Sequence, residues 1–130
     1  MTEAFLDTSV ILAKVLGLSK EASDLFDEPD TVLHTNEYVL KEIYHVLKKK
    51  FNFTENQIGY VMDFVRENCI IHPAPKREEL KKIKLTDKAD RPIVLTAMKY
   101  GLILYIDDER TFREAHKYVE VNRIWKDHGS

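Results

Sequence analysis

The chain has 130 residues, of which 44% are hydrophobic and 32% are charged. This length and apolar content suit one compact domain, which we expect to span residues 1–130. The formal net charge is −2, which excludes a surface that attracts nucleic acid over its whole area. Any nucleic-acid partner must therefore be held by a local basic patch or through metal ions.

The single cysteine, Cys69, excludes an intramolecular disulfide and a cysteine-based zinc cluster. It lies in the apolar stretch 69–71, so we expect a core residue rather than a nucleophile. The N-terminus lacks a positively charged region, and no apolar run reaches the ~20 residues that a membrane span needs. A cytoplasmic protein without a membrane association is the expectation. The five histidines show no paired ligand spacing and are predicted to be structural or surface residues.

Apolar periodicity and capping residues predict the elements of the first half of the chain. In order, they are a buried strand at 4–6, a helix capped by Thr8 and closed by Gly17, a helix capped by Ser19 and ended by Pro29, a strand at 31–34 and a helix at 37–50.

The second half continues the alternation of strands and helices. Its predicted elements are a helix with a capping box of Thr54 and Gln57, a strand at 69–72, a basic, partly helical segment at 76–84, a helix with Pro92 in its first turn and Gly101 at its end, a strand at 102–106, a helix near 110–117 and a strand at 119–124. This order predicts an α/β fold with a mostly parallel sheet of about five short strands flanked by helices.

Carboxylates follow two of the predicted strands. Asp7 comes directly after the first, and Asp107 and Asp108 come directly after the strand at 102–106. In a parallel sheet, ligands bind beyond the carboxyl ends of the strands, so these side chains meet if the two strands are neighbours. Like charges at close range require a cation or raised pKa values, and oxygen ligands suit Mg²⁺ or Mn²⁺.

Two further carboxylates are ambiguous by position alone. Asp90 precedes Pro92 at a helix start, where an N-cap is its ordinary use. Glu42 lies between apolar residues on a helix that packs inward, but its position alone favours a solvated face beside Lys41.

Four segments, taken in order, resemble the motifs of the PIN domain, the fold of the VapC-type toxins of toxin–antitoxin pairs. They are 5–12 with Asp7, 36–47 with Glu42, 89–97 with Asp90, and 104–108 with Asp107 and Asp108. The family usually has Thr or Ser shortly before the fourth Asp, whereas this chain has Ile106. Placing Ile106 in that position favours Asp108 as the fourth residue, with Asp107 as the alternative.

The resemblance implies a three-layer PIN-like fold and a divalent-metal-dependent ribonuclease. Asp7, Glu42, Asp90 and Asp108 would be the catalytic residues and would hold one or two Mg²⁺ or Mn²⁺ ions. Ser9 would steady Asp7 or contact a phosphate, although capping of the following helix is an equal alternative. Arg91 is the candidate for the scissile phosphate.

The expected partner is RNA in single-stranded regions. The basic residues at 48–50 and 76–88 are candidates to hold it, and the alternative is that they form solvated faces without a binding role. The resemblance also implies an antitoxin protein and a homodimer. The main alternative is a non-catalytic PIN-like module that binds RNA or a protein. A receiver domain fits poorly, because no lysine can be placed at a later strand end. A haloacid-dehalogenase phosphatase would need Asp where this chain has Ser9.

Overall fold

The computed structural model describes residues 1–124. Five strands form one sheet: β1 (Thr2–Leu6), β2 (Thr31–Asn36), β3 (Cys69–His72), β4 (Ile103–Ile106) and β5 (Val121–Arg123). Every pairing is parallel, and the strand order is β3-β2-β1-β4-β5. The expected α/β class with about five short strands is confirmed, and this sheet is entirely parallel.

Seven helices connect and flank the strands: α1 (Thr8–Val15), α2 (Lys20–Asp27), α3 (Glu37–Lys50), α4 (Glu55–Asn68), α5 (Arg77–Leu80), α6 (Arg91–Tyr100) and α7 (Glu109–Ala115). A single 3₁₀ turn, Lys88–Asp90, precedes α6. No helix within residues 1–124 is long and apolar enough to cross a membrane.

Local capping follows the sequence closely, with one correction. The capping box of Thr54 and Gln57 opens α4, Ser19 caps α2, and Gly101 ends α6 in the left-handed conformation. Asp7 rather than Thr8 caps α1, because its Oδ1 accepts the Val10 N–H at 2.9 Å. The residue that ends β1 therefore also begins the next helix.

The core lies on both faces of the sheet, and its centre is β1. Phe5 and Leu6 of β1 are fully buried, as are Leu104 and Ile106 of β4. Cys69 is also buried, and burial raises the pKa of its thiol to about 12. This confirms a packing role for the cysteine, since a thiol at neutral pH is a weak nucleophile.

The chain order places a topological switch at β1. From β1 the chain moves through β2 to β3 on one side, and the later strands β4 and β5 lie on the other. Right-handed crossovers in opposite directions put helices on opposite faces and open a crevice where the order reverses. Because β1 pairs directly with β4, Asp7 and Asp107 emerge side by side at this crevice.

Candidate active site

A cleft of about 480 Å³ opens at the carboxyl ends of β1 and β4. Six carboxylate side chains line it: Asp7, Glu42, Asp87, Asp90, Asp107 and Asp108. The structure thus brings together every acidic residue that the sequence singled out, from four separate elements, and adds Asp87.

Asp7 is the most deeply placed of the six and is only 5% exposed. The Ser9 hydroxyl donates to both of its carboxylate oxygens, at 2.8 and 3.0 Å, and the Val10 N–H donates to Oδ1. Burial nevertheless raises the pKa of Asp7 to about 7, and the charges of Asp90 and Asp107 add to the rise. A buried carboxylate that repels its neighbours in this way favours a proton or a cation.

Glu42 points into the same cleft from α3 and is half-buried. Its Oε1 accepts the Thr8 hydroxyl at 2.6 Å, and Tyr38 donates a second hydrogen bond to the carboxylate. Burial raises the pKa of Glu42, and these two donors oppose the rise. Glu42 therefore lies in the cleft and not on a solvated face of α3.

Asp90 occupies the N-cap position of α6 but makes no side-chain capping bond. Its Oδ2 instead accepts the hydroxyl of Thr111, from α7, at 2.5 Å. Burial raises the pKa of Asp90 to about 6, with contributions from Asp87, Asp108 and Glu42. The side chain of Asp90 therefore does not cap α6. It lines the cleft and is held there by a hydrogen bond from α7.

Asp107 and Asp108 both line the cleft but differ in their surroundings. Asp107 is half-buried, and its charge acts on Asp7. Asp108 is exposed and caps α7, because its Oδ1 accepts the Thr111 N–H at 2.8 Å. The assignment of Asp108 as the fourth ligand, with Asp107 as its alternative, stays a prediction.

Among the residues of this site that were not found from the sequence are Asp87 and Thr111. Asp87 reaches it from the loop before α6, where its Oδ1 also accepts the Ala89 N–H at 3.0 Å. Its spacing of three residues from Asp90 was the available signal. Thr111, fully buried, gave no signal, because its role depends on contacts with residues far away in sequence.

The donor set fits a hard divalent cation, since all six side chains offer oxygen and Asp7 and Asp90 have raised pKa values. Within residues 1–124, however, no three His, Cys, Asp or Glu side chains already converge tightly enough to hold an ion. The carboxylates share one cleft without forming a closed coordination shell.

The remaining wall of the cleft is largely apolar. It includes Leu12, Leu16, Leu18, Val46, Phe51 and Ile93, and Lys50 also lines the cleft. Phe51 follows the last residue of α3 and is 46% exposed. Asn52 then adopts a positive φ of 54°, and the Phe53 N–H donates to the Leu47 carbonyl at 3.0 Å. This hydrogen bond ties the chain just after Phe51 back to α3.

The two residues predicted to bind substrate lie in different places. Ser9 lines the acidic cleft and supports Asp7. Arg91 lines a second cleft, on the other side of the loop that carries Asp87 and Asp90, and its Nε donates to the Lys88 carbonyl at 3.3 Å. Its predicted contact with the scissile phosphate is untested.

A histidine pair lies outside the acidic cleft. His34 Nδ1 and His72 Nε2 are hydrogen-bonded at 3.0 Å, and His34 Nε2 lies 2.6 Å from Glu3 Oε1. His72 also stacks on the ring of Tyr100. This network links β1, β2, β3 and α6, which agrees with the structural role expected of the histidines.

No protein-family model matches the sequence, and no curated protein sequence matches it at a significant level. Solved structures do match. The chain is similar to one in the structure of VapBC2 from Rickettsia felis bound to a DNA fragment from their promoter, with a TM-score of 0.68, 16% identity, and coverage of 94% of this chain and 98% of that one. It is also similar to a chain of VapBC-5, a member of the VapBC family of toxin–antitoxin systems from Mycobacterium tuberculosis, with a TM-score of 0.63, 19% identity, and coverage of 96% and 99%.

A third similar chain is a domain of a functionally unknown protein from Methanocaldococcus jannaschii, with a TM-score of 0.56, 20% identity, and coverage of 95% and 91%. These likenesses extend over almost the full length of each chain at low sequence identity. The resemblance to the three-layer PIN-like fold of VapC-type proteins is therefore confirmed at the level of the fold.

Proposed function

We propose that this protein is a metal-dependent ribonuclease that hydrolyses phosphodiester bonds with Mg²⁺ or Mn²⁺. The observation that carries the proposal is the burial of Asp7 in a cleft shared with five other carboxylates, at the switch point of the sheet. Keeping so many acidic groups together is unfavourable without a cation, so their presence needs a functional reason.

Asp7, Glu42, Asp90 and Asp108 would hold the metal, with Asp107 as the alternative to Asp108. When bound, such an ion supplies the acidity that generates a hydroxide nucleophile near neutral pH and stabilises charge on the phosphate. The protein's own contribution is orientation. Hydroxyl donors from Ser9, Thr8 and Thr111 fix three carboxylates before any ligand arrives, which reduces the reorganisation that binding requires.

The side chains that line the cleft support single-stranded RNA as the substrate. The apolar wall that includes Phe51 lies in the same cleft as the carboxylates. An unpaired base can stack on an exposed aromatic ring, whereas a base within a duplex is already stacked on its neighbours. Lys50, in the same wall, offers a positive charge for a flanking phosphate.

A toxin role with a small antitoxin partner is the biological setting that we infer. Its support is the fold shared with VapBC structures, one of which is described as belonging to a family of toxin–antitoxin systems. A homodimer is a further prediction from the same resemblance, and sedimentation analysis of the purified chain tests it.

The first experiment is an RNA cleavage assay with Mn²⁺, with Mg²⁺ and with EDTA. Wild-type protein is compared with Asp7→Asn, which keeps the helix cap, and with Asp63→Asn, which removes an exposed carboxylate of α4 outside the cleft. We expect metal-dependent cleavage by the wild type and Asp63→Asn, and none by Asp7→Asn. Cleavage that survives both EDTA and Asp7→Asn would contradict the proposal.

The alternative function is a non-catalytic module that binds RNA or a protein. One observation favours it: no three potential ligands within residues 1–124 converge on a common point. Calorimetric titration with Mn²⁺ separates the two functions. Binding by the wild type but not by Asp7→Asn supports a metal site, while no binding by either protein favours the non-catalytic module.

A further inference from the structure

A second cleft, of about 570 Å³, lies beside α6 and is strongly basic. Lys81, Lys84, Lys88 and Arg91 line it, together with one acidic residue, Glu114. The three lysines are exposed and Arg91 is half-buried. Four cations around one concave surface make a site for an anion.

The cations of this cleft are not neutralised by the protein. Within residues 1–124, none of the four forms an ion pair with a carboxylate. Glu114 is occupied by Thr86, whose N–H and hydroxyl donate to its two carboxylate oxygens at 3.0 and 2.7 Å. The basic cleft therefore keeps a net positive charge that is available to a ligand.

The basic cleft and the acidic cleft share one wall. This wall is the segment from Lys84 to Arg91. Its Asp87 and Asp90 side chains line the acidic cleft. Its Lys84, Lys88 and Arg91 side chains line the basic cleft. Two contacts anchor this segment, because Thr86 bonds to Glu114 and the Lys84 N–H donates to the Tyr118 hydroxyl at 2.9 Å. The anchored loop therefore presents its negative charges to one cleft and its positive charges to the other.

We propose that the basic cleft binds the phosphodiester backbone of single-stranded RNA and leads the strand over the loop into the acidic cleft. The inference rests on the proposed ribonuclease function and adds to it the path of the substrate. An acidic site repels a polyanion, so attraction must come from an adjacent surface. A positively charged groove that follows a flexible backbone is the usual solution for single strands.

The test measures RNA binding without cleavage. A fluorescein-labelled oligouridylate of about 20 nucleotides is titrated with protein in EDTA at several salt concentrations. Lys84→Gln/Lys88→Gln removes two charges from the cleft. The control, Lys20→Gln/Lys41→Gln, removes two exposed charges, one on α2 and one on α3, that line neither cleft.

We expect weaker binding by the cleft variant and a salt dependence shallower by about 1.4 in log–log slope, because each phosphate contact to a single strand contributes about 0.7. The control should keep the wild-type slope. With Mn²⁺, the cleft variant should show a raised KM for RNA but unchanged hydrolysis of bis(p-nitrophenyl) phosphate, because this diester has no flanking phosphates for the basic cleft to bind.

Equal slopes for the cleft variant and the wild type would overturn the inference, and so would equal losses in the two double variants or no RNA binding by the wild type. Competition by duplex DNA as strong as that by unlabelled oligouridylate would overturn the assignment to single-stranded RNA. If the slope difference appears but Mn²⁺-dependent cleavage does not, the basic cleft stands and the ribonuclease proposal fails. If cleavage appears without the slope difference, the basic cleft alone fails.

Discussion

The Thr111 hydroxyl donates a 2.5 Å hydrogen bond to Oδ2 of Asp90, a residue 21 positions earlier in the chain. The backbone N–H of the same threonine donates to Asp108. One buried residue therefore supports a carboxylate from each of two motifs. Thr111 is a positioning residue, since it acts on the site through the groups that line it.

Replacing Thr111 with valine keeps the shape of the side chain but removes the hydroxyl donor. Asp90 would then lose its donor in a half-buried position, so we expect the metal-free protein at neutral pH to lose about 1–3 kcal/mol of stability. Mn²⁺ affinity should fall by about 10-fold or more. Calorimetry and urea unfolding measure the two effects. Thr111→Ser is the control, and equal Mn²⁺ affinities for the Val and Ser variants would contradict the assigned role.

Asp7→Asn should stabilise the metal-free protein at alkaline pH. The pKa of Asp7 rises from 3.8 to about 7 on folding, so folding favours its protonated form. The contribution of protonated Asp7 to the free energy of unfolding is fully present below pH 3.8 and is lost as the pH rises through the folded-state pKa of about 7. Above that pH, the ionised, buried carboxylate costs about 4 kcal/mol of stability. Asparagine avoids this cost.

Unfolding of the wild type and Asp7→Asn in EDTA, followed across this pH range, tests the prediction. The two proteins should have similar stability at the acidic end, and the variant should gain progressively up to about pH 7. Asp63→Asn should show no comparable pH-dependent gain. If the variant were less stable than the wild type at alkaline pH, burial would not destabilise the ionised form of Asp7, and the prediction would be wrong.

Metal binding should weaken as the pH falls. Folding raises the pKa of Asp7 to about 7 and that of Asp90 to about 6, so protons compete with a cation for both carboxylates in this range. Mn²⁺ titrations in buffers of different ionisation enthalpy should reveal proton release that is largest near these values. An affinity that stays constant between about pH 5 and 8 would argue against a site built on these residues.

The adjacent acidic residues after β4 can be separated by amide substitution. Asp108→Asn is expected to lower RNA cleavage by about 100-fold or more, because it removes a proposed ligand while asparagine can still cap α7. Asp107→Asn should have a smaller effect on turnover. The opposite order would assign the fourth position to Asp107, whose charge acts directly on Asp7.

The local signals of the chain predicted the elements well. The helix at 37–50, the strand at 69–72 and the capping box of Thr54 and Gln57 all occur as expected. Apolar spacing and capping chemistry are properties of neighbouring residues, so they can be read without knowing the fold. The position of Asp7 at the end of a buried strand follows from the same kind of information.

The sequence by itself therefore determined the class of fold, the order of the elements and the carboxylates able to form a site. Only the tertiary structure decided that β1 and β4 are neighbours, that Asp90 bonds to Thr111 instead of capping its helix, and that one loop separates an acidic cleft from a basic one. The physical reason is the range of the interactions. Periodicity shows which side of an element is buried, but strand neighbours and the partners of buried polar groups depend on how distant segments pack together.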